Sequence, residues 1–285
     1  MKQEVQQNKV AIITGSSSGI GHATALLLAR NRFHTYATMR NIKNSGDILE
    51  IANRERLPLQ VIQLDVNDDT SIKNSIEKVI SERERIDVLV NNAGYGLVGA
   101  FEDLSIEEIK SQFETNFFGV ILLTQQILPI MRKQKSGTIV NVSSGAGRIG
   151  FPGMSAYVSS KFALEGLSES MSYELEPFGI KIVIIEPGVI RTNFKKNAIM
   201  SKKSLDDSYI SPYSSIMQKM DASITSIIEH ATPPEEVAKA ILHAVTSNNP
   251  ELRFPVGNDI IMMLETKKSM SDEDFRNMMM QSIIG

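Results

Sequence analysis

Residues 9–31 read KVAIITGSSSGIGHATALLLARN. A short apolar run ends at Thr14, a glycine-rich turn follows, and a stretch of helical period sets in from His22. Gly15, Gly19 and Gly21 remove side chains where a backbone must turn tightly and come close to a bound group. A helix starting there offers unpaired N–H groups and a partial positive charge, which suits a phosphate. The spacing is GxxxGxG rather than the GxGxxG of the general dinucleotide fingerprint. Such a loop alone says little. Its place between a first strand and a first helix gives it meaning.

The same alternation continues down the chain. After KVAIIT (9–14), the candidate strands are HTYATM (34–39), LQVIQL (59–64), IDVLVN (86–91), GTIVNV (137–142), IKIVII (180–185) and LRFPV (252–256). Most are unbroken apolar runs, as expected of strands buried on both faces of a parallel sheet. The segments between them are long enough for crossover helices. The expected fold is therefore α/β: a doubly wound, seven-stranded, Rossmann-like parallel sheet flanked by helices, in one domain spanning 1–285.

Ser105 with Glu108 reads as a capping box, and Thr232-Pro-Pro-Glu235 as the same device with a proline at the first helical position. Pro129, inside a helical pattern, predicts a kink or an end. The stretch at about 190–231 is rich in Ser, Lys and Met and follows a strand directly. Ligands of open α/β sheets bind beyond the carboxyl ends of strands, so it reads as a substrate lid; a plain surface excursion is the alternative. Residues at about 257–285 form a C-terminal extension. Residues 195–285 hold most of the fourteen methionines, including Met262, Met263 and Met278 to Met280. These suit either the cover of a hydrophobic pocket or packing against the body or a second subunit.

Composition excludes several classes. Apolar residues make up 42% of the 285 and charged residues 22%, enough for a large core. The net charge is −3 with the two signs interspersed, and no basic stripe suggests nucleic acid. The chain has no cysteine, which removes disulfides, thiolate nucleophiles and cysteine metal sites and fits a reducing compartment. His22, His34, His230 and His243 show no metal-binding spacing, so no metal is expected. The polar opening MKQEVQQNK with its short apolar VAII is no signal peptide, and runs such as FFGVILL are too short to cross a bilayer. A cytoplasmic protein without membrane partners is expected.

Five further segments carry chemistry: NNAG (91–94), Asn116 in ETNFFGV, VSS (142–144), YVSSK (157–161) and PGVIRT (187–192). Tyr157 and Lys161, four apart, share one face of a helix. A free phenol titrates at about 10, and a nearby ammonium favours the phenolate and lowers that value. Asn116 sits in a helical pattern where asparagine is locally unfavourable, so it either faces solvent or has a buried task.

With TGSSSGIG, these segments resemble the short-chain dehydrogenases/reductases in order and spacing over roughly residues 9–194. Beyond that there is loose similarity to members acting on steroids, retinoids and other hydrophobic carbonyls. The resemblance implies a catalytic set of Ser144, Tyr157, Lys161 and Asn116. Ser144, 13 residues before Tyr157, would hold the substrate oxygen, with Ser143 as the other candidate. Lys161 would donate to the ribose hydroxyls, and Asn116 would hold a water joining Lys161 in a proton relay. The cofactor would lie along Gly15, Ser17, Ser18, Ile20 and Gly21. Asp65 would meet the adenine amino group beside Val66; a helix N-cap is its alternative role. Asn92, Ala93 and Gly94 would let the chain pass close by, although Asn91 or Asn92 could equally be a turn residue. Pro187, Gly188, Ile190 and Thr192 would hold the nicotinamide carboxamide, Ile190 through its backbone and Thr192 through its hydroxyl. Glu186 is expected to point away from an apolar site.

Enzymes that prefer NAD usually carry an acid at the end of the second strand. Here Met39 stands there and Arg40 follows. A guanidinium can pair with a 2′-phosphate, helped by Ser17 or Ser18, so NADP(H) is expected; a solvated surface arginine is the alternative. The implied activity is hydride transfer between NADP(H) and a hydrophobic carbonyl or secondary alcohol, with Tyr157 as acid and base. A 3-oxoacyl-thioester reductase is disfavoured by the nearly thirty residues after Val256. A non-enzymatic NADP-binding sensor is disfavoured by the complete catalytic set, and sugar epimerases and dehydratases by the glycine spacing. Members of the family pair through helices that here cover about 105–131 and 155–176, so a homodimer or homotetramer is expected.

Overall fold

The computed structural model describes residues 8–206, 208–228 and 231–284. Most of the polar opening and three residues of the expected lid (207, 229 and 230) lie outside the described residues.

The first strand, β1 (Val10–Ile13), is buried along its whole length. It lies between β2 (His34–Met39) and β4 (Val88–Asn91), with Ile12 paired to Tyr36 on one side and to Leu89 on the other. Beyond β2 comes β3 (Leu59–Gln63). Beyond β4 come β6 (Gly137–Val142), β7 (Ile180–Pro187) and β9 (Arg253–Val256). All seven are parallel, in the order β3-β2-β1-β4-β6-β7-β9. The chain winds outward from β1 to β3, then returns beside β1 and winds the other way. That reversal opens a crevice at the carboxyl ends of β1 and β4. The expected strands all form, within two residues of their predicted limits.

Alternation along β1 explains its unbroken apolar run. Ala11 and Ile13 enter one core with Leu28, Val90, Val183 and Ile241, whereas Val10 and Ile12 enter the other with Leu89, Leu123, Ile127 and Ile182. Helices α1 (Gly19–Arg30) and α2 (Gly46–Glu55) contribute to the first core, and α3 (Asp69–Arg83) to the second. The N-cap of α3 is Asp68, whose carboxylate accepts from the Thr70 and Ser71 amides. Asp65 is therefore not the cap.

After β4 the chain makes the short β5 (Leu97–Val98) and enters α4 (Ile106–Phe113) on the expected capping box, with Ser105 and Glu108 bonded reciprocally. A π-helical turn, Glu114–Phe118, joins α4 to α5 (Gly119–Gln134). Pro129 does not end the helix, which runs on to Gln134. After β6 comes the long α6 (Ser155–Leu175). The segment after β7 forms β8 (Ile199–Met200), paired with β5, and then α7 (Ser214–Ile228). This small second sheet was not expected.

Helix α8 (Pro234–Thr246) packs on α1 and starts with proline, as expected, but its N-cap is Pro233 and no side chain caps it. The cap expected at Thr232 does not form, because that residue lies one position too early and its backbone bridges Ile190. In the tail, α9 (Asn258–Ser269) and α10 (Asp272–Ile284) bring Ile260, Phe275, Met263, Met278 and Met279 onto Ile149 and Phe151. The packing alternative holds for those three methionines, whereas Met262 and Met280 are exposed. Among the described residues, no helix is long and apolar enough to cross a membrane.

Candidate active site

The glycine turn lies at the carboxyl end of β1. Gly15 and Gly19 adopt φ of +68° and +60°, open to glycine at little cost. A β-carbon on Gly15 would sit 2.9 Å from the Ala93 α-carbon, and one on Gly21 would collide with the Gly15 carbonyl. Ser16 is buried and ties the turn to Ile13 and Thr38, whereas Ser17 and Ser18 are exposed. Ser18 is the N-cap of α1 without a side-chain cap bond, so the first-turn N–H groups are left for another acceptor. They border a cleft of about 330 Å³ lined by Gly19, His22, Arg191 and Thr192. Such donors beside a cation fit the phosphates of a dinucleotide. Ile20 turns inward against the first core.

Thr14 and Asn92 brace this turn from the neighbouring strand. The Thr14 hydroxyl accepts from the Asn92 and Ala93 amides, both at 2.9 Å. The Asn92 side chain donates to the Thr14 and Gly15 carbonyls at 2.8 and 3.2 Å. Asn92 is thus a brace rather than a plain turn residue. Asn91 instead faces inward and bonds Thr124 and Asn141.

The other expected cofactor residues gather along the same edge. Arg40 is exposed after β2 and lies within Coulombic reach of Tyr95. Asp65 accepts from the Asn67 amide at 3.0 Å, and Val66 is buried against Gly119. Gly94 leaves room for Asn116, whose carboxamide oxygen would stand 3.0 Å from a β-carbon there. Pro187 ends β7, and Gly188, Ile190 and Thr192 follow. The Thr192 methyl would lie 3.1 Å from a β-carbon on Gly19, so this segment meets the glycine turn.

Tyr157 and Lys161 are both buried on α6, with the ammonium 5.8 Å from the phenol ring centre. Lys161 donates to the Val142 carbonyl at 2.8 Å. Ser144 is the second residue after β6; its hydroxyl accepts from the Ala146 amide at 3.1 Å, donates to the Pro187 carbonyl at 3.4 Å, and is close enough to the Tyr157 phenol to favour its ionised form. Ser143 is buried on the other side, beside Gly147 and Glu165. Ser144, not Ser143, is the serine placed on Tyr157.

Burial pushes the Tyr157 phenol up to about 12, against the pull of the Ser144 hydrogen bond. Desolvation sets the direction, and the group that opposes it is Ser144 rather than Lys161. Burial drives Lys161 down to about 8, while the charge of Glu165 favours its ammonium. Glu165 is one turn further along α6 and pairs with Arg253 at 3.0 Å. Its carboxyl is pushed up by burial, with Ser143 and Arg253 pulling it down and Glu186 adding to the rise. Glu186 is itself buried and pairs with Arg148 at 2.9 Å and Arg253 at 3.5 Å.

Asn116 stands in the π-helical turn and is 1% exposed. Such turns often occur where a helix serves a site. Its carboxamide accepts from the Tyr95 amide at 3.1 Å and donates to the Tyr95 carbonyl at 3.0 Å and to Ser160 at 3.4 Å. The side chain therefore reaches the neighbour of Lys161, not Lys161 itself. Four residues earlier, Gln112 accepts from the Leu97 amide and donates to the Tyr95 carbonyl. Together the two amides hold the strip 95–97 over the site.

An aromatic ring lies against Tyr157. The ring of Phe194 lies 5.6 Å from that of Tyr157, and Gly96 has room only for Phe194 and Met154. Met217 and Met220 of α7 close on Gly153. Thr14, Gln112, Tyr95, Phe194, Glu165 and Asp259 escaped the sequence reading. Only the glycines opposite some of them left a signal.

Residues 9–203 match the short chain dehydrogenase family. The chain is 38% identical over 252 residues to human 17-beta-hydroxysteroid dehydrogenase type 1, covering 86% of this chain and 76% of that protein. It is 35% identical over 268 residues to a 3-ketodihydrosphingosine reductase of Bacteroides thetaiotaomicron, covering 92% and 93%. The crystal structure of a short-chain dehydrogenase from Streptomyces avermitilis superposes with a TM-score of 0.82 at 34% identity, covering 93% of each chain.

Proposed function

The chain belongs to the short-chain dehydrogenase/reductase family and is an oxidoreductase of that family, and from this premise we propose that it interconverts a hydrophobic ketone or aldehyde and its alcohol with NADP(H). The observation that carries the reading is the meeting of Tyr157, Ser144 and Lys161 at the carboxyl end of β6, in the same parallel sheet whose first strand ends in the glycine turn. A nicotinamide dinucleotide bound along that edge supplies or takes the hydride.

The residues of the chain do the rest. Tyr157, whose phenol burial keeps protonated at neutral pH, gives its proton to the carbonyl oxygen in reduction and takes it back in oxidation. Ser144 donates to the same oxygen as charge develops there. Lys161 holds the ribose hydroxyls and, as an ammonium, favours the phenolate left behind. Asn116 fixes the π-helical turn beside Ser160 and Lys161, where a bound water would return the proton. Asp65 and Val66 take the adenine side, Asn92 to Gly94 the middle, and Pro187 to Thr192 the nicotinamide carboxamide.

Arg40 favours a 2′-phosphate, with Ser17 and Ser18 exposed beside the turn to assist. Phe194, Met154, Met217 and Met220 favour an apolar substrate under the segment 190–228, which serves as its lid. The two relatives named above act on a hydroxysteroid and a ketosphingoid base, both largely apolar. Large apolar side chains exposed on the helical run 106–134 and on α6 favour a homodimer or homotetramer, and the absence of cysteine favours the cytoplasm.

The test is NADPH oxidation, with NADH in parallel, against steroids, retinal, aliphatic aldehydes and acetoacetyl thioesters. Turnover of the apolar carbonyls with NADPH supports the reading. Turnover confined to the thioesters, or none with either cofactor, overturns it.

A further inference from the structure

We infer that Asp259, at the head of α9, is a positioning residue for the nicotinamide half of the cofactor; the inference rests on the dinucleotide reading above. Its Oδ2 accepts from the Val189 amide at 2.7 Å, across 70 residues of chain. The carboxylate is seated between two glycines. A β-carbon on Gly188 would collide with both of its oxygens, and one on Gly257, at φ +113°, would meet Oδ1 at 2.5 Å. A side chain of this length that ends in an acceptor oxygen fits that seat because neither glycine puts a side chain opposite it.

The rest of the segment is held by the same distant part of the chain. The Gly188 amide donates to the Val256 carbonyl at 2.9 Å. Thr232 donates from its amide to the Val189 carbonyl at 3.1 Å and accepts from the Arg191 amide at 2.9 Å. These bonds turn the peptides flanking Ile190 toward Thr232, so its own N–H faces the opposite edge. The next residue of α9, Ile260, is buried against Gly145, which follows Ser144. The first turn of α9 thus touches both the turn after β7 and the loop after β6. Residue 259 lies beyond the stretch 9–203 that matches the family.

Removing the carboxylate frees the Val189 amide and loosens Gly188 to Thr192. The adenosine half, held by the glycine turn and by Arg40, is untouched. Calorimetric titration of the full chain with NADPH and with adenosine 2′,5′-bisphosphate, which lacks the nicotinamide, separates the two halves. Asp259→Ala should weaken NADPH about tenfold, the worth of one charge-assisted bond, and leave the bisphosphate unchanged. Asp259→Asn, which keeps an acceptor oxygen, should recover most of the loss. Should the alanine variant not fold, Gly188→Ala, which drives a methyl into the carboxylate, must give the same split. Equal weakening of both ligands, weakening of neither, or no recovery with asparagine overturns the inference. A wild-type chain that binds no dinucleotide brings down the functional reading as well, whereas tight wild-type binding unchanged in Asp259→Ala brings down this inference alone.

Discussion

The ammonium of Lys161 lies 5.8 Å from the centre of the Tyr157 ring, one turn along α6, and both groups are shut away from water. Burial moves them in opposite directions, because it disfavours whichever form is charged. The phenol goes up to about 12 and the ammonium down to about 8. The groups facing Lys161 are Tyr157 and Glu165 of its own helix; Glu165 is in turn held by Arg253 of β9, beside Glu186 of β7. Reduction should therefore lose kcat/KM for NADPH as pH rises through about 8, where Lys161 gives up its charge. Lys161→Arg, charged at every accessible pH, should remove that basic limb; a limb that persists in the variant assigns it to another group. Stability changes with pH in the opposite sense to activity. The folded pKa is depressed below 10.5, so the contribution of Lys161 to stability is complete above that value and is lost as pH falls through about 8.

Tyr157→Phe removes the proposed proton donor and little else. Its ring keeps its contact with Phe194, while the hydroxyl near Ser144 is lost. General acid catalysis is worth about a hundredfold or more, so turnover should fall by at least about that factor. NADPH titrated by fluorescence should bind nearly as in the wild type. More than a few per cent of residual turnover removes Tyr157 from the chemistry.

The features legible in the sequence share a physical cause. Runs such as KVAII and IKIVII are unbroken because the sheet is covered on both faces, and that leaves a linear signature. The glycine turn is legible because its demands are local, a positive φ at Gly15 and Gly19. Gln112 and Asp259 look like surface residues in the sequence, since the groups that need them, Leu97, Tyr95 and Val189, are distant in the chain. Strands β5 and β8 hold two residues each, too few to show a period. At Thr232 the cap signal was present, but the backbone bridge to Ile190 displaced it by one residue. At Tyr157 the spacing reveals the neighbouring charge of Lys161 and hides the burial that pushes the phenol up.

Arg40 is exposed at the end of β2 beside the buried Met39. A carboxylate at that position would repel a 2′-phosphate and accept from both ribose hydroxyls. Arg40→Glu should lower kcat/KM for NADPH by about tenfold or more and raise it for NADH. An unchanged ratio of the two would make Arg40 a solvated surface arginine.

Gln112 is fully buried, and its oxygen is the acceptor for the Leu97 amide at 2.7 Å. Gln112→Leu keeps the bulk and leaves that amide unpaired. The Tyr95 carbonyl keeps one bond, from Asn116. One unsatisfied buried amide costs about 1–3 kcal/mol, which for a chain of this size lowers Tm by several degrees. Urea and thermal unfolding measure it, and an unchanged midpoint means that water or a shifted backbone replaces the glutamine.

Ile106 at the start of α4, Phe118 in the π-helical turn, and Phe162 and Tyr173 on α6 are all at least 44% exposed. Burying one such side chain gains about 1.5–3 kcal/mol, so leaving them all in water is costly unless another chain covers them. They fall on the helical stretches expected to form the pairing face. Phe118 is adjacent to Phe117 and packs edge-on against it, and Phe162 follows Lys161 directly. Light scattering at micromolar concentration should therefore give the mass of a dimer or tetramer. Phe118→Glu with Phe162→Glu, which places two carboxylates on that face and repeats them on the copy opposite, should give a monomer with unchanged far-UV circular dichroism. A wild-type chain that scatters as a monomer, or a double variant that stays associated, moves the interface elsewhere.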